Sequence, residues 1–530
     1  MLNGSIKDNN IFRSNAFCFI FATILFLMIF SYPWAEKTRL DEVILLPSSS
    51  WQPQKNWQGH AYFFGGDSHT YVLFNAWQNP WASHRSIGYP AFLYLFLNNV
   101  HKKFFDAIHK ASRSGINVML NPQKHVYAIN TELGLAKKFE AIALTQRLIL
   151  SLAIAVFYLS LCKWFSPIAS FSFLTVSLWI APPPDPAFIM TEPLSCALTY
   201  LCAAFLLYAP KILHQGVFFA LASFCAALAY LVRPQMLALT ALMSLIFLYQ
   251  VFAWSANGRI RAFFRGALAF SPLLLAYGYI AWLSVTGGHL FLHTLPGVDF
   301  TSFCYFVESE DAPHMPTERA RRLTSWYGER KNEFIDRIFS FKNDDTPGKV
   351  HITGDESPVK KRALFGDLPY YLGPFDEGLK YLRTELKHGN LSLLERNILG
   401  RELITGIRYR HNSEMRTLLC QNLIATLGYY KDVYYLLLFP NYTFKINLIS
   451  FLMVIFALIS IRAYRWPLLV MIGIHVLSIL AASFGNYVIS RYVEPTETFL
   501  LLSGMCSLWI IGCKLLSHMK KRNLSAFGGG

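Results

Sequence analysis

Long apolar segments constrain this chain more than any other feature. Ten of them recur, at roughly 13–32, 141–162, 166–182, 188–209, 214–231, 235–254, 266–285, 445–462, 466–484 and 496–513. About 20 apolar residues in a helix span a hydrocarbon core of about 30 Å, and lipid offers no partner to an unpaired backbone group. We therefore predict an all-α polytopic membrane protein with about ten transmembrane helices. Hydrophobic residues make up 54% of the chain and charged residues only 15%, whereas a soluble chain of this length would need far more charge to cover its surface.

Two long polar segments interrupt the apolar ones and define the domain organisation. The predicted parts are a first transmembrane helix in 1–32, a first outer segment in 33–140, helices two to seven in 141–285, a large outer segment in 286–444, and helices eight to ten with a tail in 445–530. Residues 89–100 are apolar but too short to span, which is typical of an interfacial or re-entrant helix. Residues 380–438 have helical spacing, so 286–444 is predicted to form an extracytoplasmic helical cap.

The distribution of basic residues indicates the orientation. The net charge is +16, but the cations form no single patch, so binding of nucleic acid is not predicted. With the N-terminus in the cytoplasm, the cations fall at the inner ends of the helices, as the positive-inside rule requires. They are Lys7, Arg13, Lys163, Lys211, Arg259, Arg261, Arg265, Arg462, Arg465, Lys514, Lys520, Lys521 and Arg522. Both long polar segments then lie outside the cytoplasm.

Ionisable residues near apolar sequence are costly and are candidates for function. On this topology they gather near one face, as Asp67, Arg147, Asp185, Glu192, Arg233, Arg491 and Glu494. Arginine can bind a phosphate bidentately and stabilise charge on a leaving group, and a carboxylate can take the proton of an attacking hydroxyl. This combination favours transfer of a sugar carried on a polyprenyl phosphate. The sequence contains no P-loop and no GxGxxG motif after a strand.

Several motifs resemble, in order, those of the GT-C glycosyltransferases that use lipid-phosphate sugars, such as the aminoarabinose transferases of lipid A and the protein O-mannosyltransferase-like enzymes. They are GGDSHTYVLFNAW (65–77), RSIGYPAFLYLF (85–96), TQRLILSL (145–152), MTEPL (190–194), LVRP (231–234), GRELITGIRYRHNSEMRTLL (400–419) and SRYVEP (490–495). The resemblance implies a GT-C-like bundle in a bacterial inner membrane with a periplasmic site. It implies direct displacement, with inversion, from a polyprenyl-phosphate donor to a glycan (lipopolysaccharide or O-antigen included), lipid or protein acceptor.

The site residues follow from this resemblance. Asp67 is the predicted base, with Asp41 and Glu42 as alternatives, because many members of the family carry an acidic pair in the first loop. The candidates for binding the donor phosphate are Arg491, Arg147, Arg233 and Arg85, and the supporting residues are Tyr89, Glu192, Asp185, Tyr492 and Glu494. No cofactor and no metal cluster is predicted, although a divalent cation held by Asp67 stays open.

Other interpretations stay open at this point. Arg147 could form a structural ion pair with Glu192 or Asp185, and Arg233 could be an interfacial arginine that extends towards water. The chain could be a glycan polymerase or ligase of another membrane class. It could also be a lipid-linked sugar flippase, although transporters commonly show repeated halves and broken helices. Cys304 and Cys420, in the large outer segment, could form a disulfide in an oxidising compartment.

Overall fold

The structure is a computed structural model, and it describes residues 15–32, 81, 86–97, 134–187, 189–211, 215–255, 266–292, 303–304, 306–342, 374–384, 391–428, 442–484 and 494–527. Across these residues the chain is helical, with no β-strand. The predicted all-α class is therefore confirmed for the described part of the chain.

The main α-helices are named in chain order. They are α1 (Asn15–Ser31), α2 (Gly88–Leu97), α3 (Ala136–Leu161), α4 (Pro167–Ile180), α5 (Thr191–Tyr208), α6 (Gln215–Val232), α7 (Leu237–Ser255), α8 (Leu274–Gly287), α9 (Glu318–Lys342), α10 (Pro374–Thr384), α11 (Leu393–Gly428), α12 (Tyr442–Ser460), α13 (Arg465–Phe484) and α14 (Glu494–Phe527).

Seven helical stretches in the described residues are long and apolar enough to cross a bilayer. They are α3, α5, α6, α7, α13, α14 and the stretch Gly266–Gly287, which includes α8. By length and composition, the protein is an integral membrane protein. The other three predicted spans coincide with shorter apolar helices, Asn15–Ser31, Pro167–Ile180 and Ile449–Ser460, so the total of about ten stays a prediction.

Helix α5 lies at the centre of the bundle. It packs against α3, α6, α13 and α14, and most of its side chains are buried. Its sequence is rich in small residues, including Ser195, Ala197, Ala203 and Ala204, which let neighbouring backbones approach closely without help from a hydrophobic effect inside lipid. The polar residues at the start of α5 are consequently held between several other helices.

The described part of segment 286–444 has a hydrophobic core of its own. Phe306, Leu323, Tyr327, Leu382 and Leu403 are among its buried residues. We call residues 303–304, 306–342, 374–384 and 391–428 the loop unit. Its helical content agrees with the predicted cap, whereas its position outside the membrane stays a prediction. Helices α10 and α11 divide the single helical run predicted for 380–438, and α11 bends at His411 (φ −105°, ψ 25°).

A buried carboxylate joins the two halves of the loop unit. Asp311 has no exposed surface, and its oxygens lie 3.2 Å from Arg410 Nη1 and 3.2 Å from His411 Nε2 at the bend of α11. The backbone N–H of Glu308 also donates to Asp311 at 2.7 Å. The other charged groups facing this cluster are Glu308, Glu310, Glu414 and Lys331. Cys304 is buried and Cys420 is exposed, and the two are not bridged.

This cluster makes the stability of the loop unit depend on pH. The hydrogen bond with Asp311 raises the pKa of His411 above its usual value. Burial alone would raise the pKa of Asp311, but its bonds with His411 and Glu308 and the charge of Arg410 hold that pKa below its usual value. The stabilisation of the folded loop unit by His411 is complete below the unfolded histidine pKa of about 6.5, and it is lost as the pH rises through the folded pKa. The stabilisation by Asp311 is complete above the unfolded aspartate pKa, and it is lost as the pH falls through the lowered pKa of the folded state.

We therefore expect amide hydrogen exchange around 306–314 and 408–414 to become faster when the pH rises from mildly acidic to alkaline, after correction for intrinsic exchange. His411→Gln should remove this extra dependence. His314→Gln is the matched control, because His314 is exposed and stacks on Tyr409 rather than on a charge. An unchanged pH dependence in His411→Gln would contradict the assignment.

Candidate functional site

Motifs that are far apart in the sequence meet at one end of the bundle. The start of α5 and the ends of α4 and α6 lie together there. Helix α2 and the turn of α3 that contains Gln146 and Arg147 lie beside them. We call this set the polar layer, formed by Ser86, Tyr89, Gln146, Arg147, Asp185, Glu192 and Arg233. On the predicted topology it faces outward.

The RSIGYP motif holds α2 against the segment that carries Arg233. Ser86 Oγ donates to the backbone oxygen of Val232 at 2.9 Å. A Cβ on Gly88 would lie 2.6 Å from both Leu231 C and Val232 N, so only glycine fits against this backbone. Packing and hydrogen bonding therefore explain Ser86 and Gly88 of this motif without any catalytic role.

Gly88→Ala should consequently reduce stability. Crowding at a close-packed position of this kind costs about 1–3 kcal/mol. The matched control is Gly278→Ala in α8, where an added Cβ meets nothing within 4 Å. Thermal unfolding of the purified protein in detergent measures both changes. Equal melting temperatures for the two variants would show that α2 does not approach α6 as described.

A chain of buried hydrogen bonds continues from α2 into α3. Tyr89 OH donates to Gln146 Oε1 at 2.6 Å, and Gln146 Nε2 donates to the backbone oxygen of Pro186 at 2.8 Å. Tyr89 has no exposed surface and Gln146 has 1%. The chain thus connects the first polar segment with the connection between α4 and α5.

Glu192 and Arg233 form a buried ion pair. The Arg233 Nη2 to Glu192 Oε1 distance is 3.5 Å, and the exposed fractions of the two side chains are 4% and 11%. Thr191 Oγ1 also donates to Glu192 Oε2 at 3.1 Å. Glu192 lies in the first turn of α5, where the helix dipole favours a negative charge. Arg233 is therefore a buried partner of Glu192 rather than an interfacial arginine that extends towards water.

Arg147 is placed differently, although it is next to Gln146 in α3. It is half-buried and lies within electrostatic range of Asp185, which is also half-buried. Its Nη1 is 3.5 Å from the backbone oxygen of Phe30 at the end of α1. Its Nε is buried and has no hydrogen-bond partner among the described residues. Asp185 Oδ1 accepts from the backbone N–H of Ala187 at 2.8 Å, which orients the carboxylate. Arg147 and Asp185 therefore interact at longer range than Glu192 and Arg233, and both side chains are more accessible.

Neighbouring helices begin and end at different levels beside the polar layer. His475 Nδ1 donates to the backbone oxygen of Thr496 at 3.1 Å, and Thr498 Oγ1 donates to that of Ala181 at 2.9 Å. Helix α14 therefore begins level with the end of α4. Helix α13 continues from His475 to Phe484, about 13 Å further. The start of α14 is consequently recessed relative to the end of α13.

Several of the predicted site residues cannot be placed. Asp41, Glu42, Asp67, Arg85, Arg491 and Tyr492 lie outside the described residues. Glu494 begins α14, and its side chain is also outside the description. The roles predicted for these residues stay predictions.

The structure also adds residues that were not predicted for the site. Gln146 and His475 are buried polar side chains that interrupt apolar helices, and this interruption is the signal that could have identified them. Among the described residues, no group of three or more His, Cys, Asp or Glu side chains could hold a metal ion. In comparisons with known proteins, no family model, no curated protein and no solved structure matches the chain.

Proposed function

We propose that the protein is a membrane glycosyltransferase that moves a sugar from a polyprenyl-phosphate donor to an acceptor outside the cytoplasm. The observation that supports this most is Arg147, whose buried Nε–H lacks a partner among the described residues and whose neighbour Asp185 is half-buried. An unsatisfied buried donor costs about 1–3 kcal/mol, and a bound anion would remove that cost.

The depth of Arg147 suits a lipid-borne phosphate. At 1.5 Å per residue it lies about 21 Å from the last residue of α3, Leu161, and about 17 Å from the first, Ala136. On the predicted topology, a phosphate carried on a lipid can approach Arg147 from the membrane with its chain still in the hydrocarbon. Arg233 is the weaker candidate of the two described arginines, since Glu192 already neutralises its charge.

In the proposed reaction, the acceptor hydroxyl attacks the anomeric carbon of the donor sugar. Asp67 takes the hydroxyl proton, the bond from the anomeric carbon to the phosphate oxygen breaks, and polyprenyl phosphate leaves with the bonding electrons. Arg147 stabilises the charge on that phosphate, with Arg491 and Arg85 as further candidates. Attack opposite the leaving group inverts the anomeric configuration.

A direct test is sugar transfer from a synthetic polyprenyl-phosphate donor by the purified protein, together with binding of polyprenyl phosphate itself. We expect Arg147→Gln to weaken that binding about 10- to 100-fold, because a hydrogen bond to a charged group contributes about 1.5–3 kcal/mol. Arg322→Gln is the matched control, since this loop-unit arginine is 57% exposed and bonded to Glu318 on its own helix. Absence of both transfer and binding in the wild-type protein would overturn the proposal.

A further inference from the structure

We infer that Gln146 is a positioning residue, which fixes Pro186 and with it the adjacent Asp185 within electrostatic range of Arg147, and so orients this arginine for the donor phosphate; this inference rests on the proposed function. Gln146 and Arg147 are consecutive in α3, and they face the consecutive residues Asp185 and Pro186. Gln146 binds the backbone of Pro186, and Arg147 lies within electrostatic range of the carboxylate of Asp185.

The bonding capacity of the amide explains why glutamine stands here. A glutamine side chain has an acceptor oxygen and a donor NH₂ group. Its oxygen accepts from Tyr89 OH, and its nitrogen donates to Pro186 O. An ionised glutamate could accept from Tyr89 but could not donate to Pro186, and leucine could do neither. The position therefore requires a group that accepts on one side and donates on the other.

Burial makes both hydrogen bonds matter. Because Tyr89 and Gln146 are almost completely enclosed, water cannot replace a lost partner, and a lone polar group would be left in low dielectric. The segment 182–186 contains four prolines and donates few backbone hydrogen bonds of its own. The hydrogen bond from Gln146 therefore fixes the position of Pro186, the residue next to Asp185.

Displacement of Asp185 would change the electrostatic field that orients the Arg147 guanidinium. A misoriented guanidinium would lose a charge-assisted hydrogen bond to the phosphate, which weakens binding roughly 10- to 100-fold. The effect should appear in the affinity for the phosphate group of the donor, while the KM for the acceptor stays the same. If Gln146 served only in packing, its replacement would lower the amount of folded protein but would not weaken phosphate binding selectively.

Gln146→Leu and Gln146→Glu test the inference, with binding of polyprenyl phosphate as the readout. Gln146→Leu should bind it about 10- to 100-fold more weakly. Gln146→Glu should bind like the wild type at acidic pH, since a protonated carboxyl both donates and accepts, and should lose affinity relative to the wild type as the pH rises. Thr145→Val is the matched control, because it removes only a bond to Ala141 within the same helix.

The outcomes separate the two proposals. If the wild type neither binds polyprenyl phosphate nor transfers sugar, the proposed function fails. If the wild type binds and folded Gln146→Leu binds equally well, the positioning role is overturned and the function stands. Should Gln146→Leu not fold, Gln146→Glu decides alone, because an affinity that follows the wild type at every pH would overturn the role.

Discussion

Glu192→Gln should destabilise the protein by about 3–5 kcal/mol, the usual cost of removing one member of a buried ion pair. The substitution keeps the shape of the side chain and removes the Glu192 charge from the Arg233 guanidinium inside the bundle. The cost is a large part of the 5–15 kcal/mol that separates most folded domains from their unfolded states. We expect a marked loss of monodisperse protein on size-exclusion chromatography and a lower melting temperature in what remains.

The double variant Glu192→Met with Arg233→Met gives the matched comparison. Replacing both charges by apolar groups of similar length removes the desolvation cost along with the attraction, so folding should recover wholly or in large part. Arg322→Gln provides the surface control, because exposed ion pairs contribute only about 0–1 kcal/mol. A wild-type melting temperature for Glu192→Gln would mean that the pair is not buried.

The recovered double variant also separates a structural role of Arg233 from a role in donor binding. If Arg233 only compensates Glu192, the folded double variant should bind polyprenyl phosphate like the wild type. If Arg233 contacts the phosphate, the variant should fold and bind weakly. The burial of both side chains favours the first result.

The helices were the most predictable part of the structure. Each predicted apolar segment coincides with a helix, because about 20 apolar residues in lipid have no other way to satisfy their backbone groups. The ends were less predictable. Helix α14 continues to Phe527, beyond the predicted end at 513, since the basic residues that end a hydrophobic span do not end a helix.

The pairing of the polar residues was harder to predict. The sequence left Arg147 with either Glu192 or Asp185, and it suggested no role for Gln146. Hydropathy reports the depth of a residue along its helix but not the direction in which its side chain points around the bundle. Glu192 lies 3.5 Å from Arg233 because α5 packs against α6, and Arg233 directly follows the end of α6. The three-dimensional packing of the helices therefore decides which partner each charged residue has.

Asp67→Asn should lower turnover by roughly 10²–10⁴, the range expected for loss of a general base. Asparagine is nearly isosteric with aspartate but cannot accept a proton at neutral pH. Expression and binding of polyprenyl phosphate should therefore stay at wild-type levels. Arg491→Ala should instead weaken both binding and turnover, because an arginine on the phosphate contributes to the ground state and to the transition state.

This contrast is decisive when turnover and binding are measured on the same purified, monodisperse samples. Asp41→Asn and Glu42→Gln are the matched controls, since each removes one carboxylate from the same predicted outer segment. Near-normal transfer by Asp67→Asn would remove Asp67 as the base, and a large loss in one of the two controls would identify its replacement. Unchanged binding by Arg491→Ala would leave Arg147 as the foremost phosphate ligand, because its Nε–H is buried without a partner among the described residues. A loss of folded protein in both Asp67→Asn and Arg491→Ala would show instead that the two residues maintain the structure of this face.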